Sequence, residues 1–368
     1  MANGFAPYVL KSLKALAGIN YPGLKLTAAG HLAMLLENSN VVEAKLTNAE
    51  GHQKTAKVKY KVRQTASVVQ EEDNCDIDFT PVYLEGDMTA PRTAKVGFHL
   101  SLETVSKYLE EASNPQNIGN PGVRVIAEVA DSIQHAANAI ITKIDQRLLS
   151  DTVWGINVVS GNNTAQTINI GLDQTKYNLS GGFAKLLSDA FENEFSGELL
   201  IVGSGKMFAH EAVKAANALA TAQNGVDLSR FNGYRFYPDL QAKTQWGTDK
   251  IGVFTKGSIH FVDFQKYVGF QAGKIGVSTF FQITLPVNYG YGEVMMTFDA
   301  QLKEIDCPTV LLNGYGEQVT YTRGYGLYLS KNYGLFQIPS NAYSSDDRLS
   351  GVNGAIRYTV TNECETCS

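Results

Sequence analysis

Cysteine is scarce in this chain: Cys75, Cys307, Cys364 and Cys367 are its only four. That is too sparse for a disulfide scaffold, so a reducing, intracellular site of folding is the simpler expectation. Long apolar runs are missing too. None approaches the length that spans a bilayer. Lys11 and Lys14 interrupt the apolar pattern between Met1 and Asn20, which breaks any signal-peptide core. The expectation is a soluble protein made in the cytoplasm, with no membrane partner. Neither sign of charge dominates. A net charge of −5 argues against a dedicated nucleic-acid binder, which carries a basic face. A hydrophobic fraction of 44% and a charged fraction of 18% are globular values, and 368 residues are enough to bury a sizeable core in two or so domains.

Motifs that would carry chemistry are also thin. Val202-Gly203-Ser204-Gly205-Lys206 lies between a strand and a helix and looks like a phosphate loop, with Asp263 ending a later apolar strand. A phosphate loop needs four residues between its first Gly and the Gly-Lys, then Ser or Thr to hold magnesium. Here Leu200 and Met207 occupy those positions, so a plain strand-to-helix turn is the better reading. Cys364-x-x-Cys367 could supply half of a tetrahedral zinc site, but nothing nearby offers the other half, and a tail is expected instead. His31, His52, His99, His135, His210 and His260 fall at no ligand spacing. Asp346-Asp347, among Ser344, Ser345 and Arg348, lacks the regular oxygen pattern of a calcium loop. No Gly-x-Ser-x-Gly elbow or Cys/His pairing is evident. Neither an enzyme nor a metal or cofactor site is expected.

What the chain does have is a two-faced arm followed by one very long helix. Lys57-Val58-Lys59-Tyr60-Lys61-Val62-Arg63 alternates cations with apolar residues, the mark of a strand. An acidic stretch follows at Glu71, Glu72, Asp73, Asp76 and Asp78. The apolar face of Val58, Tyr60 and Val62 is too short to build a core of its own. All twelve of these residues are therefore candidate contacts with a neighbouring surface. The bland alternative is an ordinary edge strand whose lysines discourage aggregation. Residues 8–18 and 26–37 read as short amphipathic helices, 55–98 as a long β-hairpin, and 102–112 as a helix. From 122 to 152 the residues Ile126, Val129, Ile133, Ala136, Ile140, Ile144 and Leu148 recur at helical spacing, with Glu128, His135, Asn138, Thr142 and Gln146 facing elsewhere. A helix follows around 183–191, then a strand at 198–202, a helix at 206–221 and strand-like segments from 231 to 284. Beyond Pro286 the chain is β-rich, with Tyr and Gly adjacent at Tyr289, Tyr291, Tyr315, Tyr325 and Tyr333. Such pairs favour bulges and close strand approach.

This order of elements resembles the major capsid proteins of tailed bacteriophages, the Hong Kong 97-type (HK97-like) fold. Residues 78–83 and 95–98 look like the end of that family's extended loop, and His99-Leu100-Ser101-Leu102-Glu103 like its entry into the peripheral domain. Residues 198–202, 231–236 and 251–254 look like its axial-domain strands. The resemblance covers about residues 55–310 and implies an α+β fold. Its parts would be an N-terminal arm (1–54), an extended β-hairpin loop (55–98) and a peripheral domain (99–197) with the spine helix 122–152. An axial αβ domain (198–285) and a β-rich return to the peripheral domain (286–368) would follow. It also implies a structural protein that assembles with itself, as hexamers and pentamers, into an icosahedral shell around double-stranded DNA. A separate scaffolding protein is implied, because residues 1–54 are short for a built-in scaffold, together with a portal and a decoration protein. No crosslinking chemistry carries over, since no asparagine or assisting glutamate matches. The alternatives are an encapsulin-like compartment holding cargo and a β-rich glycan-binding or adhesion module.

Overall fold

A computed structural model describes residues 28–38, 43–48, 54–61, 83–88, 92–101, 123–169, 172–173, 178–179, 182–195, 197–204, 234–264, 272–275, 278–289, 292–313, 316–339 and 349–361. In chain order the elements begin with helix α1 (Gly30–Glu37), strands β1 (Glu43–Asn48), β2 (Lys54–Lys61), β3 (Tyr83–Met88) and β4 (Arg92–Ser101), and helix α2 (Val123–Asp151). Next come β5 (Gln166–Asn169), β6 (Leu172–Asp173), β7 (Asn178–Leu179), α3 (Gly182–Glu192), β8 (Leu199–Gly203), β9 (Tyr234–Pro238) and α4 (Ala242–Gln245). The last are β10 (Lys250–Thr255), β11 (Ile259–Phe264), β12 (Ala272–Ile275), β13 (Ser278–Asn288), β14 (Glu293–Asn313), β15 (Gly316–Gln337) and β16 (Ala355–Thr361). The fold is α+β with strands predominating. The helices expected at 8–18, 102–112 and 206–221 lie outside the described residues.

Among the described residues, three sheets of three or more strands organise the chain. The arm sheet has the order β1-β2-β3, antiparallel throughout. A mixed five-stranded sheet has the order β5-β16-β10-β8-β9, with β16 parallel to β5 and β8 parallel to β9. In the third sheet β11 pairs β15, β15 pairs β14, β14 pairs β13 and β13 pairs β12, while β4 joins along β15.

Two expectations change here. The hairpin was read as running from 55 to 98, but β3 alone returns along β2. The segment Arg92–Ser101 leaves the arm and pairs with Gly324–Tyr333 of β15. A third strand, Glu43–Asn48, joins the arm from the segment read as a separate N-terminal arm. The block expected over 198–285 is also redistributed. Its strand β11 belongs to the sheet of β15, and β16, from the segment read as a return to the peripheral domain, sits inside the five-stranded sheet.

Helix α2 runs for 29 residues, about 44 Å at 1.5 Å per residue. It lies across β4 and β15. Its buried stripe includes Ile133, Ala136, Ile140, Ile144 and Leu148, as the spacing predicts, and is widened by Ala137, Ile141 and Leu149. A stripe of this width suits a helix laid on a sheet rather than a narrow coiled-coil seam. The main core joins this stripe to α1 (Leu32, Met34, Leu35), to the five-stranded sheet (Leu200, Val202, Phe254) and to the larger sheet (Phe281, Phe298, Leu329). The other face of the five-stranded sheet packs against Leu186 and Ala190 of α3, through Leu199, Ile201, Val253 and Tyr358. Strand β8 is thus buried on both faces, which explains its unbroken Leu-Leu-Ile-Val run. Tyrosine and glycine do meet at a close approach. Tyr328 lies opposite Gly97, and a Cβ there would come within 2.3 Å of its ring.

Candidate assembly interface

The arm sheet has two chemically distinct faces, because side chains alternate along each strand. In β2, Lys57, Lys59 and Lys61 fall on one face and Val58 and Tyr60 on the other. The register sets Lys59 opposite Glu43 of β1 and Glu85 of β3, and Lys57 opposite Lys45 and Asp87. Lys59 Nζ lies 3.7 Å from Glu85, with both side chains substantially exposed. An exposed pair of this kind is worth about 0–1 kcal/mol. By register, the acidic residues opposite the lysine row are Glu85, Asp87 and Glu43. Glu85-Gly86-Asp87 carries the same period-two signature as β2 and could have been matched to it.

The apolar face is seated on the same chain. Val58, Tyr60 and Met88 are buried against Val262 of β11 and Phe336 of β15, with Ile338 alongside. The rings of Tyr60 and Phe336 are 5.5 Å apart, tilted by 41°. Gly86 makes this possible, since a Cβ there would stand 2.8 Å from the Phe336 ring. Val58 and Tyr60, expected among the contacts with a neighbour, are thus covered within their own subunit. The physical reason is that the sheet of β11 and β15 offers an aromatic surface that the local pattern of β2 does not reveal. Lys57 and Lys61 lie in β2, while Val62, Arg63, Glu71, Glu72, Asp73, Asp76 and Asp78 lie outside the described residues.

In the sheet of β11 and β15, Lys331 is almost fully buried and its Nζ lies 2.5 Å from Asp263 Oδ2. Burial raises the Asp263 pKa above the usual carboxylate range, the Lys331 cation opposes that rise, and Asp299 adds to it. Asp263 is thus engaged by Lys331 rather than by the turn after β8. At that turn Ser204 Oγ donates to the Thr248 carbonyl.

A second constellation fixes α1 between the two larger sheets. At its carboxyl end, Arg235 of β9 pairs with Glu37 at 3.1 Å and donates to the Tyr289 hydroxyl at 3.0 Å. The Tyr237 hydroxyl donates to Glu37 Oε2 at 2.6 Å. Burial, then the Glu37 carboxylate, pushes the Tyr237 pKa up. At its amino end, Gly30 lies so close to β9 that a Cβ would stand 2.3 Å from the Pro238 carbonyl oxygen.

A cavity of about 330 Å³ opens beside Arg92, Asp151, Tyr333 and Gln337. Asp151 there is paired with both Arg92 and Arg147. Among the described residues, no three His, Cys, Asp or Glu side chains gather as a metal site, and no helix is long and apolar enough to cross a membrane. His135 faces Asp131 at 3.5 Å and His260 Nε2 bonds the Gly257 carbonyl at 2.8 Å. The cysteine pair 364/367 and Asp346-Asp347 lie outside the described residues.

No family model and no curated protein matches this chain. Solved structures do. One titled Mycobacterium phage Adephagia has 13% sequence identity and a TM-score of 0.41, with 95% of this chain and 97% of that chain covered. The capsid structure of the Cyanophage P-SCSP1u has 11% identity and a TM-score of 0.39, covering 95% and 94%. The capsid of Myoviridae Phage XM1 has 11% identity and a TM-score of 0.36, covering 93% and 95%.

Proposed function

We propose that this chain is a shell-forming structural protein of the HK97 type, the major capsid protein of a tailed phage. In this reading it assembles with itself, as hexamers and pentamers, around double-stranded DNA. The observation that carries the reading is the order and placement of elements. A three-stranded arm with a lysine row precedes a helix of about 44 Å braced along a long sheet, and a five-stranded sheet is buried on both faces. Side-chain groups in the described residues serve packing and pairing, which suits a structural role.

The basic face of the arm is the proposed contact with a neighbouring subunit. The apolar face anchors the arm to its own chain and holds that lysine row in place. Single exposed pairs contribute little, so the contact gains from repetition around closed rings. A separate scaffolding protein, a portal and a decoration protein are the proposed partners. Assembly would take place in the host cytoplasm and the product would be the virion capsid.

The primary test is to express the chain and image its large size-excluded fraction by negative-stain electron microscopy. Closed shells, rings or tubes support the reading. A chain that stays monomeric with a co-expressed scaffold, and binds glycan, refutes it in favour of an adhesion module. Shells that take up a dedicated cargo protein favour an encapsulin-like compartment. The arm is tested by the swap Lys59→Glu with Glu85→Lys, which keeps the pair within the subunit and reverses each charge in place. The swapped subunit should remain folded and assemble poorly at low salt. Normal assembly across a salt series would remove the basic face from the interface.

A further inference from the structure

The amino end of α1 is held by two carboxyl groups from distant parts of the chain. The His31 backbone N–H donates to Asp239 Oδ2 at 2.8 Å, and the Leu32 N–H donates to Asp145 Oδ1 at 3.1 Å. Asp145 comes from the last third of α2, and Asp239 follows β9. Successive N–H groups of one helical turn therefore bring the two carboxyls face to face. Both residues are buried, at 0% and 1% exposure. The His31 ring is buried too, at 0% exposure, packed between Trp246 at 5.9 Å and Phe254 at 5.7 Å. Among the described residues neither His31 ring nitrogen has a hydrogen-bond partner, and Asp145 Oδ2 has none either.

The two carboxyls are unequally supplied with donors. Asp239 Oδ1 also accepts from the backbone N–H groups of Gln241 at 2.7 Å and Ala242 at 2.9 Å. It thus accepts three N–H bonds, which favour its ionised form. Asp145 accepts one. Two ionised carboxylates facing each other in a buried site repel strongly, and such a pair keeps a proton.

We propose that Asp145 and Asp239 hold a single proton between them, carried by Asp145, and that this proton locks α1 to the long helix and the five-stranded sheet. Loss of the proton at alkaline pH releases α1. Burial raises the Asp145 pKa well above the ordinary value, and the Asp239 charge raises it further. A carboxyl with a raised folded pKa contributes stability that is present at low pH and is lost as pH rises through that folded value.

Other titratable groups on the elements around α1 are engaged elsewhere. Glu37, Arg235, Tyr237 and Tyr289 form the network at the opposite end of the helix, some 10 Å along its axis at 1.5 Å per residue. On α2, Arg147 and Asp151 pair with each other and with Arg92. On β11, β14 and β15, Asp263 is bound to Lys331, Asp299 lies beside them, and His260 bonds Gly257. On α4, Lys243 is exposed. His31 is held neutral by burial, its pKa pushed down to about 3. It offers no cation to a second carboxylate.

The test is amide hydrogen exchange in the segment 30–37 from about pH 6 to about pH 10, corrected for the intrinsic base-catalysed rate. With one proton linked to opening, protection should fall ~10-fold per pH unit between the unfolded and the folded pKa and level off above the folded one. Asp145→Asn keeps the size and a neutral donor, so its protection should be nearly independent of pH. A flat profile in the natural protein, or equal slopes in both, would overturn the lock. A measurement independent of any variant is the infrared carbonyl band of a protonated carboxylic acid in the natural protein at neutral pH. The band should be present and should vanish as the pH passes the value at which exchange in 30–37 levels off; its absence at neutral pH also overturns the proposal.

Discussion

Replacing His31 with leucine should stabilise the protein, and the gain should grow as the solution is acidified. The ring is completely buried and, among the described residues, both its nitrogens lack partners. A buried polar group without a partner costs about 1–3 kcal/mol. Leucine removes that cost, against a repacking loss of under ~1.5 kcal/mol between Trp246 and Phe254. The pH term is larger. Burial pushes the His31 pKa from 6.5 down to about 3. Between those values the unfolded chain binds a proton that the folded chain excludes. A depressed folded pKa thus gives stability that is present above the unfolded value and lost on acidification. The loss is ~1.4 kcal/mol per pH unit, or about 2 kcal/mol at pH 5. His31→Leu abolishes this term, while the contribution of Asp145 and Asp239 is common to both proteins and largely cancels. Urea unfolding of the two proteins at pH 7 and pH 5 measures the difference. Tryptophan emission is a suitable signal, since Trp246 lies against both the imidazole and Trp154. A gap between variant and natural protein that stays constant from pH 7 to pH 5 would refute the reasoning, because it would mean that the folded protein accepts the proton at His31.

Gly30→Ala should destabilise by ~3 kcal/mol or more, since its Cβ would meet the carbonyl oxygens of Pro238 and Tyr237 at 2.3 and 2.6 Å, and neither backbone atom can rotate away. A melting temperature equal to that of the natural protein would show that α1 does not sit so close to β9. Lys331→Met should cost about 3–5 kcal/mol by stranding the partly buried Asp263 carboxylate, and the added change Asp263→Asn should recover much of it. Denaturant midpoints for the single and double variants check this, and an Asp263→Asn change that recovers nothing would mean that the pair is not the source of the loss.

The parts of this fold that could be read from the sequence are those whose cause is local. The alternation of β2, the stripe of α2 and the apolar run of β8 each follow from the period of one element, and each appears within a few residues of its expected bounds. Partners are a different matter. Nothing in the pattern of Arg92–Ser101 states that it pairs with Gly324–Tyr333, and nothing near Val58 and Tyr60 announces Phe336. A period identifies which face is buried, and the surface that buries it lies hundreds of residues away. Asp145 was passed over for a related reason. It stands beside Ile144 in the inward stripe, where a carboxylate conflicts with burial, and that conflict was the available signal. Its partner, Asp239, belongs to a turn whose only local role is to cap α4. The lysine row was legible as a row, but its acidic neighbour at Glu85 required knowing that β3 returns along β2 in that register.

The position of β16 has a consequence for how the chain is made. This strand lies between β5 and β10, so the five-stranded sheet is missing an interior member until residues 355–361 have been synthesised. On the ribosome, β8 and β10 are available to pair long before that. One edge of β10 and the facing edge of β5 must then wait through the synthesis of β11 to β15, with hydrogen-bonding groups open to other chains. Closure is therefore a late, non-local event. The interval before it is when crowding among nascent chains, or a chaperone that shields strand edges, most affects the yield of folded subunits.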